Sequence, residues 1–277
     1  MAHAYALLIS VDEHSEAHAA LPHLTRDASA LRAVLEDPVR AGYDPDHVRM
    51  LKGKSASHDK IFTALGWLQD RMAVDRTGSA SAFVYFAGHG QIIEGRHALI
   101  PFDAKASNLR KSAIFAEDLA EAFTAMHAPR LFVVLDCCHS GGMGVKGRAP
   151  YPSEAIPSAS VMPALADKAC VVLSSSQPDQ KSHQRRDGQL SVFMHHLVEA
   201  LGGFVGDAKS GLIHASEVGN HVLSRVPASV AAEWNGEQTP DVVWQGDVPV
   251  SQIQLGSRAR VGAEKPGFAK PDRRRRR

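Results

Sequence analysis

Two stretches constrain this chain more than any others. One is Phe83-Val84-Tyr85-Phe86-Ala87-Gly88-His89-Gly90, the other Leu131-Phe132-Val133-Val134-Leu135-Asp136-Cys137-Cys138-His139-Ser140-Gly141-Gly142. Each is an apolar run that breaks into a Gly-rich turn. A short, continuous apolar run bounded by Gly reads as a strand buried on both faces, the kind found in parallel sheets. Side by side in one sheet, the two strands would present His89 and Cys138 at their carboxyl ends, the edge where open α/β sheets place their ligands.

A thiol attacks a carbonyl as thiolate, and a neighbouring imidazole can take its proton. The pattern therefore nominates Cys138 as nucleophile and His89 as base. Gly90 is expected to leave a backbone N–H open beside a substrate carbonyl, forming an oxyanion hole with the N–H of Cys138. Gly141 and Gly142 keep the wall after the nucleophile low.

The rest of the chain alternates strands and helices. Strands are expected at 5–11, 48–51, 81–87, 130–136, 169–174 and 242–244. Helices are expected at 25–35, with Thr25 as N-cap, and at 57–73, 116–126, 190–201 and 214–226. A hairpin turning at Gly95 lies between 91 and 101. This order predicts an α/β fold, a mainly parallel sheet with helices on both faces. Residues 143–168 hold four Pro and read as an exposed connection.

Composition bears on partners and compartment. The body is mildly acidic: the five terminal arginines, Arg273–Arg277, turn a net charge of −4 into the formal +1. It therefore does not read as a nucleic-acid binder, and any such contact is confined to that tail. No apolar stretch approaches the roughly 18 residues of a membrane span. The N-terminus carries no signal-peptide pattern, so a cytoplasmic location is expected. The three cysteines, Cys137, Cys138 and Cys170, give no disulfide framework, since vicinal cysteines rarely bridge.

Tyr-Phe-Ala-Gly-His-Gly (85–90) and Asp-Cys-Cys-His-Ser-Gly (136–141) resemble the two catalytic motifs of the caspase-like cysteine peptidases, the second closer to the metacaspase form. Asp27-Ala28, Ile100-Pro101-Phe102-Asp103 and Gln238-Thr239-Pro240 extend the resemblance from about Tyr5 to Trp244. The 49-residue separation of His89 and Cys138 matches the caspase spacing. The resemblance implies a caspase-like three-layer sandwich with a six-stranded sheet. It also implies a Cys138–His89 dyad that cleaves protein or peptide substrates through an acyl-enzyme. The compact chain fits a prokaryotic, metacaspase-like form with a peptidase domain over 1–255 and a basic tail over 256–277. A stress or defence role and an activating protein partner are implied only by the resemblance.

Specificity has a physical reading. Asp136 stands two residues before the nucleophile, where animal caspases carry a neutral Gln. Asp27 matches an acidic pocket position of metacaspases. Two carboxylates in one pocket favour Arg or Lys at P1. The alternative for Asp27 is complementing a helix dipole. Leu24 and Ala87 replace a Cys and a Ser common in metacaspases, making the rim less polar. Lys146, Arg148 and Lys168 are self-processing candidates in the 143–168 connection.

No cofactor is required by the chemistry. Some metacaspases bind Ca²⁺ near positions matching Asp103, Glu117 and Asp118. Met143, Gly144 and Val145 stand where a further acid is expected, and solvated or helix-capping carboxylates are the preferred reading. A catalytically silent adaptor of the same fold is the alternative to an enzyme.

Overall fold

The structure is a computed structural model that describes residues 3–16, 20–75, 78–137, 154–162, 169–206 and 210–252. Its centre is a six-stranded sheet. In chain order its strands are β1 (Ala4–Ser10), β2 (Val48–Lys52), β3 (Ser81–Gly88), β7 (Arg130–Cys137), β8 (Ala169–Ser174) and β10 (Asp241–Gln245). They are arranged β10-β8-β7-β3-β1-β2. All neighbours are parallel except β10, which runs antiparallel to β8.

Parallel strands need crossover helices. The helices are α1 (His23–Glu36), α2 (His58–Val74), α3 (Leu109–Ser112), α4 (Ala116–Ala125), α5 (Val192–Glu199) and α6 (Ala215–Trp234). Side chains alternate along each strand, and this splits the core in two. Phe83 and Tyr85 of β3, with Phe132 and Val134 of β7, pack under α1, α5 and α6. Val84 and Phe86, with Leu131, Val133, Leu135 and Cys137, pack under α2 and α4. Phe83 and Phe132 meet edge to face, 5.1 Å between centroids. The result is the expected three-layer α/β sandwich, with a continuous apolar run wherever both faces are covered.

Two small antiparallel sheets flank it. One joins β4 (Gly90–Ile93), β5 (Arg96–Leu99) and β6 (Ile114–Phe115); the other pairs β9 (Leu212–His214) with β11 (Pro249–Gln252). The β4–β5 turn holds Glu94 and Gly95 at φ 51° and 79°, the two left-handed residues of a tight hairpin. Among the described residues, no helix is long and apolar enough to cross a membrane.

Four expectations are corrected. The first helix begins at His23, not after Thr25, because the Thr25 hydroxyl donates to Asp12 Oδ2 (2.7 Å) instead of capping. The helix expected to end at Val226 runs through Pro227 to Trp234. Losing one N–H is tolerated there because Val226 and Val230 both bury in the core. The helix expected to reach Leu201 ends at Glu199 and passes into a π-helical turn, Ala200–Phe204, in which Gly203 has φ 110°.

Residues 154–162 of the expected exposed connection are docked. Ala155, Ile156 and Val161 are buried, and Ser158 donates its N–H and hydroxyl to Asp241 (2.9 and 2.6 Å). The remainder of that connection, and the tail from 256, lie outside the described residues.

Candidate active site

The two motif strands are neighbours in register: Ser81 lies opposite Arg130, and the pairing continues to Gly88 opposite Cys137. His89 leaves β3 one residue after Gly88. Cys138 follows Cys137 in sequence and lies outside the described residues, as do Lys146, Arg148 and Lys168.

His89 is 3% exposed. Its carbonyl accepts from Ile100 N–H (3.0 Å), which anchors the turn to the start of the Ile100-Pro101-Phe102-Asp103 segment. The ring of His14 lies 5.3 Å from that of His89, and His14 Nδ1 donates to the Pro101 carbonyl (3.2 Å). His23 adds a third imidazole to this neighbourhood. Burial, then the charges of Arg26 and His89, push it down to about 4. His14 and His23 carry no motif signal, and sequence reasoning passed them over.

Gly90 is needed for close approach. Its carbonyl accepts from Glu154 N–H (2.8 Å). A Cβ there would collide with the Glu154 carbonyl oxygen and come within 3.3 Å of Cys137 Cβ. The returning segment 154–162 therefore lies directly on the backbone after His89. Cys137 is buried among the α2 and α4 side chains, and burial, then the charge of Asp136, push its thiol well above the usual range. It is a core residue and not a nucleophile at neutral pH.

Strand alternation sends Asp136 to the other face, under α1. Asp136 and Asp27 are 1% and 0% exposed. Tyr85, two strand positions before Ala87 on neighbouring β3, donates its hydroxyl to Asp136 Oδ2 (3.2 Å). The N–H of Ser191, the residue preceding α5, approaches both Asp27 oxygens (3.3 and 3.4 Å). Burial, then the charge of Asp136, push the Asp27 carboxyl up to about 8; Ser191 and Arg26 pull the other way. The structure thus brings the two nominated carboxylates together from α1 and β7. Asp27 is not an exposed dipole-complementing residue of a first turn.

The loop that delivers Ser191 is braced on several sides. Arg26 donates to the Gly188 carbonyl (2.7 Å). Gln238, fully buried, accepts from His183 N–H and donates to the Ser175 carbonyl (both 2.9 Å). This gives the Gln238-Thr239-Pro240 segment a physical role.

The three carboxylates nominated for calcium are used locally. Asp103 accepts from His58 N–H at the start of α2 (2.8 Å), and Asp118 from Phe115 N–H at the start of α4 (3.2 Å). Glu117 forms a two-pronged pair with Arg96 (3.3 and 3.1 Å). Among the described residues these three form no common donor group; the grouping that could hold a metal ion is His195, His196 and Glu199. Among the described residues the three carboxylates build no calcium shell, which takes about six to eight oxygens.

Comparison with known proteins bears on the whole assembly. The family model described as the caspase domain matches residues 3–245. The crystal structure of the Drosophila initiator caspase Dronc is similar with a TM-score of 0.55 at 10% identity, over 90% of this chain and 81% of that one. The structure titled pro-sf-caspase-1 gives 0.58 at 15% identity, over 92% of each chain. At such identities the likeness speaks to fold alone. No curated protein matches significantly.

Proposed function

The chain belongs to the caspase-domain family, and on that premise we propose that it is a cysteine endopeptidase cutting protein substrates after Arg or Lys. The observation that carries the specificity is the buried pair Asp27 and Asp136, with Asp136 two residues before Cys138. Membership in the family and the register of β3 and β7, which brings the ends of the two motif strands together, support the dyad.

In this reading His89 takes the Cys138 Sγ proton, and the thiolate attacks the scissile carbonyl. The oxyanion is met by the N–H groups of Gly90 and Cys138. The C–N bond breaks as His89 returns the proton to the leaving amine, leaving a thioester. Water, deprotonated by His89, adds to the thioester and frees the acid and the thiol. The P1 guanidinium or ammonium enters between Asp27 and Asp136, displacing the proton that Asp27 holds near neutral pH. A charged P1 group is worth binding there because the site is dry and both carboxylates are already desolvated.

Self-processing at Lys146, Arg148 or Lys168 follows from the same preference; activation by a protein partner in a stress or defence setting rests on the family resemblance alone. Mapping new N-termini in a proteome digested by the purified chain tests the proposal. Arg and Lys at P1 are expected, absent with Cys138→Ala. A preference for Asp at P1 would overturn the pocket assignment.

A further inference from the structure

On the α5–α6 side of the sheet three imidazoles gather round one carboxylate. His195, His196 and Glu199 lie on α5, and each offers a ligand atom within 4.8 Å of the others. His196 Nδ1 lies 3.0 Å from Glu199 Oε2, and His221 Nε2 from α6 lies 3.1 Å from the same oxygen. His196 Nε2 shares a hydrogen bond with Ser229 Oγ (2.8 Å), which fixes the ring. None of these groups has a part in the peptidase chemistry.

We propose that His195, His196 and Glu199, with His221 beside them, form a binding site for a zinc-type divalent transition metal ion. Two imidazole nitrogens and a carboxylate oxygen are the donor set of such ions, and three protein ligands leave a fourth position for water or His221. Bonds of about 2.0–2.2 Å at tetrahedral angles set ligand atoms roughly 3.4 Å apart. The Nδ1 to Oε2 distance of 3.0 Å needs only a few tenths of an ångström to open. The Ser229 contact supplies the outer hydrogen bond that orients a metal-bound imidazole. The Glu199 side chain is 31% exposed, so an ion can reach the cluster from solvent. Ligation through Nδ1 leaves His196 a neutral imidazole with its one ring proton on Nε2, donated to Ser229 Oγ.

The hydrogen bonds among His196, His221, Glu199 and Ser229 do not account for His195. Its Nδ1 accepts from Arg185 Nη1 (2.7 Å). A metal on His195 is incompatible with that bond whichever nitrogen it uses. Ligation at Nδ1 takes the lone pair that Arg185 uses. Ligation at Nε2 puts the ring proton on Nδ1, against the guanidinium N–H. Metal binding therefore releases Arg185, which keeps Asp187 as a partner (3.1 Å). Arg185 belongs to the loop that pairs Gln184 with Ser191 and bonds its own N–H to the Leu190 carbonyl. Metal at α5 thus loosens the segment that ends at Ser191.

The test uses untagged full-length chain carrying Cys138→Ala, which removes the competing thiol, titrated with Co²⁺ and followed by its visible absorption. One equivalent with a tetrahedral spectrum is expected. Affinity should fall about 10- to 100-fold in Glu199→Gln and in His195→Gln. It should rise in Arg185→Ala, because the competitor for His195 is gone. Hydrogen exchange over 183–191 should speed up when Zn²⁺ is added. Far-UV circular dichroism of each variant checks folding, and Arg185→Ala, a change in a loop, keeps the test decisive if a helix variant unfolds. Absence of binding, an unchanged spectrum and affinity in both ligand variants, or no gain in Arg185→Ala would overturn the proposal.

Discussion

Asp27 of α1 and Asp136 of β7 sit buried on one face of the sheet, and the charge of Asp136 adds to burial in holding a proton on Asp27 up to about pH 8. Under the proposed P1 specificity, this pair takes up a cation in exchange for a proton. For an Arg-P1 substrate, KM should fall as pH rises from 6 towards 8, by up to about tenfold per unit while Asp27 remains protonated. In Asp27→Asn the KM should be higher and this slope should vanish. Steady-state kinetics from pH 6 to 9 on both proteins check it.

The same group gives a stability prediction. The folded carboxyl titrates near 8, above its unfolded value near 3.8. Its contribution is therefore fully present below about pH 4 and lost as pH rises through 8. Thermal unfolding of wild type should show this loss between about pH 4 and 8, and Asp27→Asn should flatten it. Equal pH slopes for the two proteins would count against the buried pair.

Asp136→Asn removes the like charge beside Asp27 and one proposed ion-pair partner for P1. Loss of a charged hydrogen bond worth about 1.5–3 kcal/mol corresponds to roughly 10- to 100-fold in kcat/KM for Arg-P1 peptides. Tyr85→Phe, which removes one neutral hydroxyl from Asp136, should cost clearly less. A comparison of both variants on Arg and neutral P1 peptides reads the difference.

How far the sequence reached depends on what kind of group was involved. β3 and β7 were legible because both faces are covered, which makes their side chains apolar without a break. Asp136 stood out as the polar exception at the end of such a run. The N–H of Ser191 on Asp27 was not legible, because a backbone donor leaves no mark in residue type. His195, His196 and Glu199 stand close in sequence but carry no motif signal, and the place of His221 was not legible, because only the packing of α5 on α6 brings it to Glu199. The helix expected to end at Val226 continues through Pro227 because Val226 and Val230 bury on either side of it.

Gly90→Ala tests the close approach after His89. The added methyl meets the backbone carbonyl of Glu154, which cannot swing aside as a side chain would. Overpacking of this kind costs about 1–3 kcal/mol. Chemical denaturation should show that loss, and turnover should drop with it because His89 is the adjacent residue.

Alkylation separates the three thiols. Cys137 and Cys170 are buried, and burial pushes both thiols up, Cys170 to about 12. Brief treatment of native protein with iodoacetamide near pH 7 should modify Cys138 alone, as read by peptide mass mapping. Modification of Cys137 at a similar rate would contradict its placement in the core.

Proteolysis is proposed to rest on Cys138 and His89 and to select a basic P1 residue. The most direct measurement is kcat/KM on matched fluorogenic peptides with Arg or Asp at P1, for wild type, Cys138→Ala and His89→Ala. The expected result is hydrolysis of the Arg peptide alone, abolished by either substitution. Hydrolysis that survives Cys138→Ala, or a wild-type preference for the Asp peptide, would contradict it.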